Sequence, residues 1–307
     1  ADPDGRREHV LVRYAYDDRG DLVAAYDALG QPYRYAYEAH HMVRHTDRTG
    51  LSFHYEYDRA GPDGWRVVHA WGDGGLQDFR FEYLDAVAQR RITDPQGGVS
   101  TVQLAESGLP VCEIDALGGM TQFEYDEAGR TTAVVDPAGR RTEFAYDATG
   151  NLVRLASPDG AVLQMAYEQD RLVAATDPAG STWRQRWDAR GLLVEQTSPL
   201  GHVQRYEYDA AGQLAAFTNA AGATTRLRFD GLGNLLQLAA PDGSTMLFAY
   251  DLLGNVVARG DAQDRQTSYT YDAKSRLIAV TFPDGSRVAY EYDAQDRVIC
   301  YTDENGA

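Results

Sequence analysis

Hydrophobic and polar residues alternate along most of this chain in runs of five or six, and the runs are separated by clusters of Asp, Pro, Ala and Gly. The stretch Arg141-Thr142-Glu143-Phe144-Ala145-Tyr146 predicts a strand with Phe144 and Tyr146 on one face, because side chains alternate along extended backbone. Asp147-Ala148-Thr149-Gly150 predicts a turn, with Asp supplying local hydrogen bonds and Gly a positive φ. Leu152–Ala156 predicts a second strand, and Ser157-Pro158-Asp159-Gly160 a second turn. The order strand, turn, strand, turn then begins again.

The period is about 21 residues. Taking the aromatic residue of each Tyr-Asp-like pair as an anchor gives Tyr16, Tyr37, Tyr57, Tyr83, Leu104, Tyr125, Tyr146, Tyr167, Trp187, Tyr208, Phe229, Tyr250, Tyr271 and Tyr292. The steps are 21 residues except for 20 after Tyr37, 26 after Tyr57 and 20 after Tyr167. The anchor is aromatic in thirteen of the fourteen repeats, and Asp or Glu follows it in twelve. The residue two before the anchor is aromatic in ten, so these two positions hold 17 of the 20 tyrosines. Chance would place about two there. A Gly four residues after the anchor, in nine repeats, and a second 13 to 17 residues after it, in thirteen, mark the turns. Gly129, Gly139, Gly150, Gly160, Gly212 and Gly222 are representative turn glycines. Two strands per repeat predict roughly 28 strands, and open twisted sheets rarely exceed about ten without curling. The chain is therefore expected to be all-β, a solenoid-like spiral sheet in which stacked aromatic ladders replace a two-layer core. Residues 1–307 form a single array of fourteen repeats in this reading. The absence of an initiator Met leads us to expect a piece of a longer chain.

Composition narrows the function. Lys+Arg number 29 and Asp+Glu 46, for a formal charge of −17. That argues against binding a phosphate backbone or an anionic membrane surface, both of which call for a basic face. No apolar run approaches the ~20 residues of a membrane span, and no signal peptide is expected from the polar opening ADPDGRREHV. Cys112 and Cys300 are too few for a disulfide framework and are expected to be small buried apolar residues.

The unit Y-x-Y-D-x-x-G-x-L…D-P-x-G resembles the YD repeat of the RHS-repeat family. The resemblance is carried by Phe123-Glu124-Tyr125-Asp126-Glu127-Ala128-Gly129-Arg130 and by Tyr206-Glu207-Tyr208-Asp209-Ala210-Ala211-Gly212-Gln213-Leu214. His45-Thr46-Asp47-Arg48-Thr49-Gly50-Leu51 and Trp71-Gly72-Asp73-Gly74-Gly75-Leu76 resemble the amino-terminal part of bacterial Rhs repeat cores. The resemblance implies part of a hollow β-cocoon or barrel shell, the wall of an Rhs polymorphic toxin, enclosing a carboxy-terminal toxin domain of the same chain. It implies delivery by type VI secretion in interbacterial competition. A secretion spike protein or chaperone would be a further partner, and the protein would reside in the bacterial cytoplasm before entering a target cell. The family's self-cleavage end, toxin domain and amino-terminal spike module find no match in these residues.

Other chemistry is poorly supported. His9, His40, His41, His45, His54 and His69 crowd the first repeats, but their spacing fits no zinc pattern. They are expected to be turn or strand residues, so no metal or cofactor is assigned. The acidic residues after the anchors, such as Asp126, Asp147 and Asp209, recur too regularly for one catalytic centre and are expected to cap turns. Asp94-Pro95-Gln96-Gly97 and similar segments resemble the family's cleavage region but sit at the regular turn position. No phosphate loop, nucleophile elbow or metal cluster is present, so no enzymatic activity is expected of this segment. The alternative function is a carbohydrate- or cell-surface-binding repeat module, for which Trp65, Trp71 and Trp183 are the candidate exposed contacts. The extra residues around Ala60-Gly61-Pro62-Asp63-Gly64-Trp65 in the third repeat would be a docking loop or a neutral insertion. Unpaired strand edges at the ends of the array would make the isolated segment prone to association.

Overall fold

A computed structural model of the chain describes residues 9–61, 64–263 and 265–306. Among the described residues are 28 β-strands and two single-turn 3-10 helices, Asp73–Gly75 and Asp85–Val87. The expected all-β class is the observed one. The seventh repeat has its strands at Arg141–Tyr146 and Leu152–Ala156, the boundaries its alternation predicts. The chain divides into two compact units, one comprising residues up to Met120 and from Tyr269 onward, the other Thr121–Ser268. Within each unit consecutive strands pair antiparallel.

Within each unit the two strands of a repeat are joined by a register shift just before the anchor. Glu143, Phe144 and Ala145 face Ala156, Leu155 and Arg154 in order, and then Tyr146 faces Leu152, so Val153 is passed over. This is a β-bulge, with two residues of one strand opposite one of the other. It recurs at Tyr16, Tyr37, Tyr125, Tyr167, Trp187, Tyr208, Phe229, Tyr250 and Tyr292.

There is no deep core among the described residues. The buried apolar side chains are small: Ala24, Ala133, Ala156, Ala216 and Ala279, with Val280 and Val288. Four of these alanines fall eight residues after an anchor. Ala133 faces Glu124 on one side and Glu143 on the other. Arg141 reaches both carboxylates, at 2.6 and 2.8 Å to Glu124 and 3.2 Å to Glu143. Long charged side chains thus roof a methyl group, and their aliphatic stems supply the burial.

The exceptional repeat lengths have local causes. The two 20-residue repeats turn on Ala39-His40 and Gln169-Asp170, pairs of residues at φ of +46° and +66°, and +51° and +60°. Two successive left-handed residues make the tight hairpin turn whose twist matches the strands, and it needs one residue fewer. The 26-residue repeat extends its hairpin to Ser52–Gly61 and Gly64–Gly72. Pro62 and Asp63 of that insertion lie outside the described residues.

The two cysteines differ. Cys112 is half-buried and Cys300 exposed, which corrects the expectation that both would be buried. Cys300 lies in the strand Val298–Thr302, whose first four residues are all exposed and which is paired here with Arg287–Tyr292. A thiol reagent should label Cys300 well before Cys112 on the folded chain. Equal rates, followed by mass, would show that this strand is covered.

Candidate functional site

The recurring element of this chain is its repeat, and the anchors show how successive repeats are held together. The Tyr146 hydroxyl donates to the carbonyl of Thr131 at 2.9 Å. Thr131 is the residue opposite the preceding anchor, Tyr125, at the bulge. The same bond joins Tyr57 to Met42 at 2.8 Å, Tyr83 to Val67 at 3.0 Å, Tyr208 to Leu193 at 2.8 Å, Tyr250 to Leu235 at 3.0 Å and Tyr292 to Leu277 at 2.7 Å. Trp187 substitutes its indole Nε1–H, 2.8 Å from the carbonyl of Leu172. A bulge takes backbone out of the regular ladder, and the next repeat's anchor returns a donor to it. Each of these seven anchors therefore ties its own repeat to the one before, whereas the Tyr167 hydroxyl turns to Met165 Sδ of its own strand at 3.9 Å. Burial, then the neighbouring Tyr206 and Asp188, push the Tyr208 phenol above its ordinary pKa, so it remains a donor throughout the neutral range.

This arrangement explains one of the two anchors without a donor. The strand pair Leu76–Leu84 and Gln89–Thr93 runs without a register shift. The following anchor, Leu104, has no bulge carbonyl to serve, and the adjacent Gln103 amide instead reaches the carbonyls of Val87 at 2.9 Å and Ala88 at 3.2 Å. Phe229 differs, because the pair before it is bulged at Tyr208, facing Leu214. Phe229→Tyr should place a hydroxyl at the Leu214 carbonyl and stabilise the chain by about 1 kcal/mol. An unchanged or lower urea midpoint would show that the carbonyl is already satisfied.

The expectation of stacked aromatic ladders needs correcting. Among the described residues the ring contacts lie within repeats or in the irregular hairpin region, such as Tyr206 with Phe217 at 5.4 Å and Tyr290 with Tyr301 at 5.5 Å. Successive anchors are two strands apart, about 9.6 Å, beyond the ~4.5–7 Å of aromatic pairs. Between them lie the tyrosine hydrogen bond and, in three repeats, a guanidinium. Arg66, Arg130 and Arg276 sit over Tyr83, Tyr146 and Tyr292 at 4.5, 4.9 and 4.7 Å.

The acidic residue after the anchor organises the first turn. Asp126 Oδ1 accepts from the backbone N–H of Ala128 at 3.0 Å and of Arg130 at 2.9 Å. Asp147, Asp188, Asp230, Asp251 and Asp293 do the same, and Asp209 accepts from Gln213. The second turns repeat the device at Asp94, Asp136 and Asp177, with Asn219 as its neutral form. Gly129, Gly139, Gly150, Gly160, Gly212 and Gly222 all have positive φ. At Gly150 it is +98°, where a Cβ would clash with its own backbone. Side chains also link one turn to the next. Arg190 donates to the Asp209 carbonyl at 2.8 Å, and Asn151 to Asp170 at 2.9 Å.

The early histidines are held by other partners. His40 meets Asp21 at 2.8 Å, and His9 meets the carbonyl of Ala273 at 2.8 Å. His45 lies 3.1 Å from the Tyr55 hydroxyl. His41 stacks on Trp65 at 4.2 Å, while Trp71 lies between His69 at 4.1 Å and His54 at 5.3 Å. His54 is paired with Asp73, and His69 with Asp78. No group of three or more metal-ligating side chains occurs among the described residues. Trp65 and Trp71 are half-buried against these rings, so they are not exposed contacts as the sequence suggested; Trp183 is 46% exposed.

Comparison with known proteins follows the same repeats. The Teneurin YD-shell family model matches residues 182–307, and the RHS Repeat model matches residues 16–50, 111–141 and 125–162. Over the residues these models match, the chain carries repeats of the YD/RHS type. Toxin protein Tse5 of Pseudomonas aeruginosa is 38% identical to this YD/RHS-repeat chain over 108 residues, 35% of this chain and 8% of that protein. The crystal structure of TcdB2-TccC3 superposes with a TM-score of 0.69 at 17% identity, over 95% of this chain and 18% of the other. That likeness establishes a shared fold. The YD/RHS-repeat chain thus spans a small part of the length of either relative.

Proposed function

We propose that this chain is a section of the encapsulating wall of an Rhs-type toxin, and that the wall encloses a carboxy-terminal toxin domain of the same polypeptide. The observation that carries this reading is the use to which the recurring side chains are put. Anchor hydroxyls cap bulges and anchor-adjacent carboxylates cap turns, so the recurring polar groups hold neighbouring repeats together. The likeness to a named toxin over 108 residues supports the same reading. Such a wall acts by exclusion, keeping cargo from its target in the producing cell until the protein reaches a recipient bacterium. We assign delivery to type VI secretion, with a spike protein or chaperone as partner, and assign no catalysis to this segment. The glycan-binding alternative loses two of its three tryptophans to histidine stacking.

The test uses the intact parent polypeptide. It is treated with protease, and its carboxy-terminal segment is followed by mass spectrometry. A segment that stays associated and protected, even after the chain is cut, supports enclosure. Immediate digestion of that segment would refute enclosure and turn attention to surface binding.

A further inference from the structure

Within the unit formed by the first and last repeats, turns far apart in sequence share one cluster of charges. Arg48, in the second turn of repeat 2, donates to Asp27 at 3.0 Å and to Asp296 at 2.8 Å. Lys274, in the first turn of repeat 13, bonds the same two carboxylates, Asp27 at 3.1 Å and Asp296. Arg276 joins Asp296 at 2.8 Å and Asp272 at 2.6 Å. Gln295 adds a bond to Thr49 at 3.2 Å. Three cations and three anions close on each other, and the side chains of Arg48 and Lys274 are only 13% and 12% exposed. Repeats 1 and 2 are thereby tied to repeats 13 and 14, second turns against first turns.

The residues that meet here depart from the repeat's own rule. Eleven of the fourteen second turns carry Pro or Ala where Arg48 stands. Lys274 is the only lysine in the chain. Asp296 occupies the position that is Gly in nine repeats, and it holds a left-handed φ of +65°. A non-glycine residue is disfavoured there unless something compensates. A buried ion pair adds little net stability, but loss of one partner strands the other charge, which makes such pairs suited to fixing register.

We propose that Asp27, Arg48, Asp272, Lys274, Arg276 and Asp296 form a latch that sets twelve repeats as the interval at which the array meets itself, and that Asp296 accepts a left-handed backbone to supply its central carboxylate. The latch is independent of what the wall encloses.

Lys274 provides its own reporter, because it carries the chain's sole side-chain amine. The folded chain is pulsed with an acetylating ester, and the peptide containing residue 274 is quantified by mass. Acetylation should be at least roughly tenfold slower than in urea, since it requires local opening. Asp296→Gly restores the usual glycine and relieves the backbone, yet it should accelerate Lys274 acetylation by about tenfold with the strand content unchanged. Arg48→Ala should do the same through the opposite side of the cluster, and serves if the first variant does not fold. Acetylation of the unaltered chain as fast as in urea would show that no latch exists. Protection that survives Asp296→Gly or Arg48→Ala would reduce Asp296 to a turn residue and overturn the proposal.

Discussion

Replacing Tyr208 by Ala should destabilise the chain by about 3 kcal/mol, and replacing it by Phe by about 1 kcal/mol. The larger figure is the lower end of the range for buried aromatics, because Tyr208 is only half-buried. The smaller figure is the hydroxyl's bond to the Leu193 carbonyl at 2.8 Å. The damage should be local. In the middle of a repeat array stability is nearly a sum of repeat and nearest-neighbour interface contributions. Amide exchange should accelerate in Leu193–Thr197 and Leu214–Thr218, the strands on either side of Val203–Tyr208, and little elsewhere. Urea unfolding gives the energies, and hydrogen exchange gives the map. If Phe costs as much as Ala, the anchor is a hydrogen-bonding device and its ring is incidental. If Ala costs under about 1 kcal/mol, the anchors do not hold the repeats together.

The repeat, both strands and both turns were legible because each rests on short-range chemistry. Alternation sets the faces, and Asp and Gly set the turns. The link between repeats was less visible. The recurrence of Tyr rather than Phe at the anchor was the available signal that a hydroxyl was in use. Its acceptor depends on a bulge, and a bulge is a register shift between strands that alternation alone does not reveal. The expected ring stacking failed because successive anchors have a whole strand between them. The stacking of His41 on Trp65 depends on the pairing of strands around an enlarged hairpin. The latch was hidden further still, since Arg48 and Asp296 are 248 positions apart. Even so, their departure from the repeat's pattern was on view: an Arg in place of Pro or Ala, an Asp in place of Gly, and a single Lys.

Acid should unfold this chain abruptly as pH falls from about 4 towards 2. The cause is the Asp in so many turns. Hydrogen bonds from the Asn151 side chain, then backbone and Thr149 donors, outweigh desolvation and hold the Asp147 carboxyl down to about 2. Backbone donors from Arg130 head the causes that lower Asp126, and the Arg140 side chain does so at Asp136. At Asp296, burial opposes the charge, but Lys274 and Arg48 more than offset it and hold the group at about 2. In each case the folded value lies below the unfolded one, near 3.8. The stabilisation is therefore complete above the unfolded value and lost as pH falls through the folded one, because the unfolded chain then binds more protons. Stability should be flat above pH 5 and steep below 4 as many turns lose their caps together. Self-repulsion grows as the carboxylates are neutralised and 29 Lys and Arg remain charged. Salt separates the two effects, since it screens repulsion far more than a local cap. Asn219 provides an internal control, for it caps its turn with the same two backbone bonds and does not titrate here. Replacing Asp136, Asp147 and Asp230 together by Asn should lower the acid midpoint and broaden the transition, followed by circular dichroism. An unchanged transition in that variant, shifting freely with salt, would assign acid unfolding to net charge and leave the turn carboxylates without a role in it.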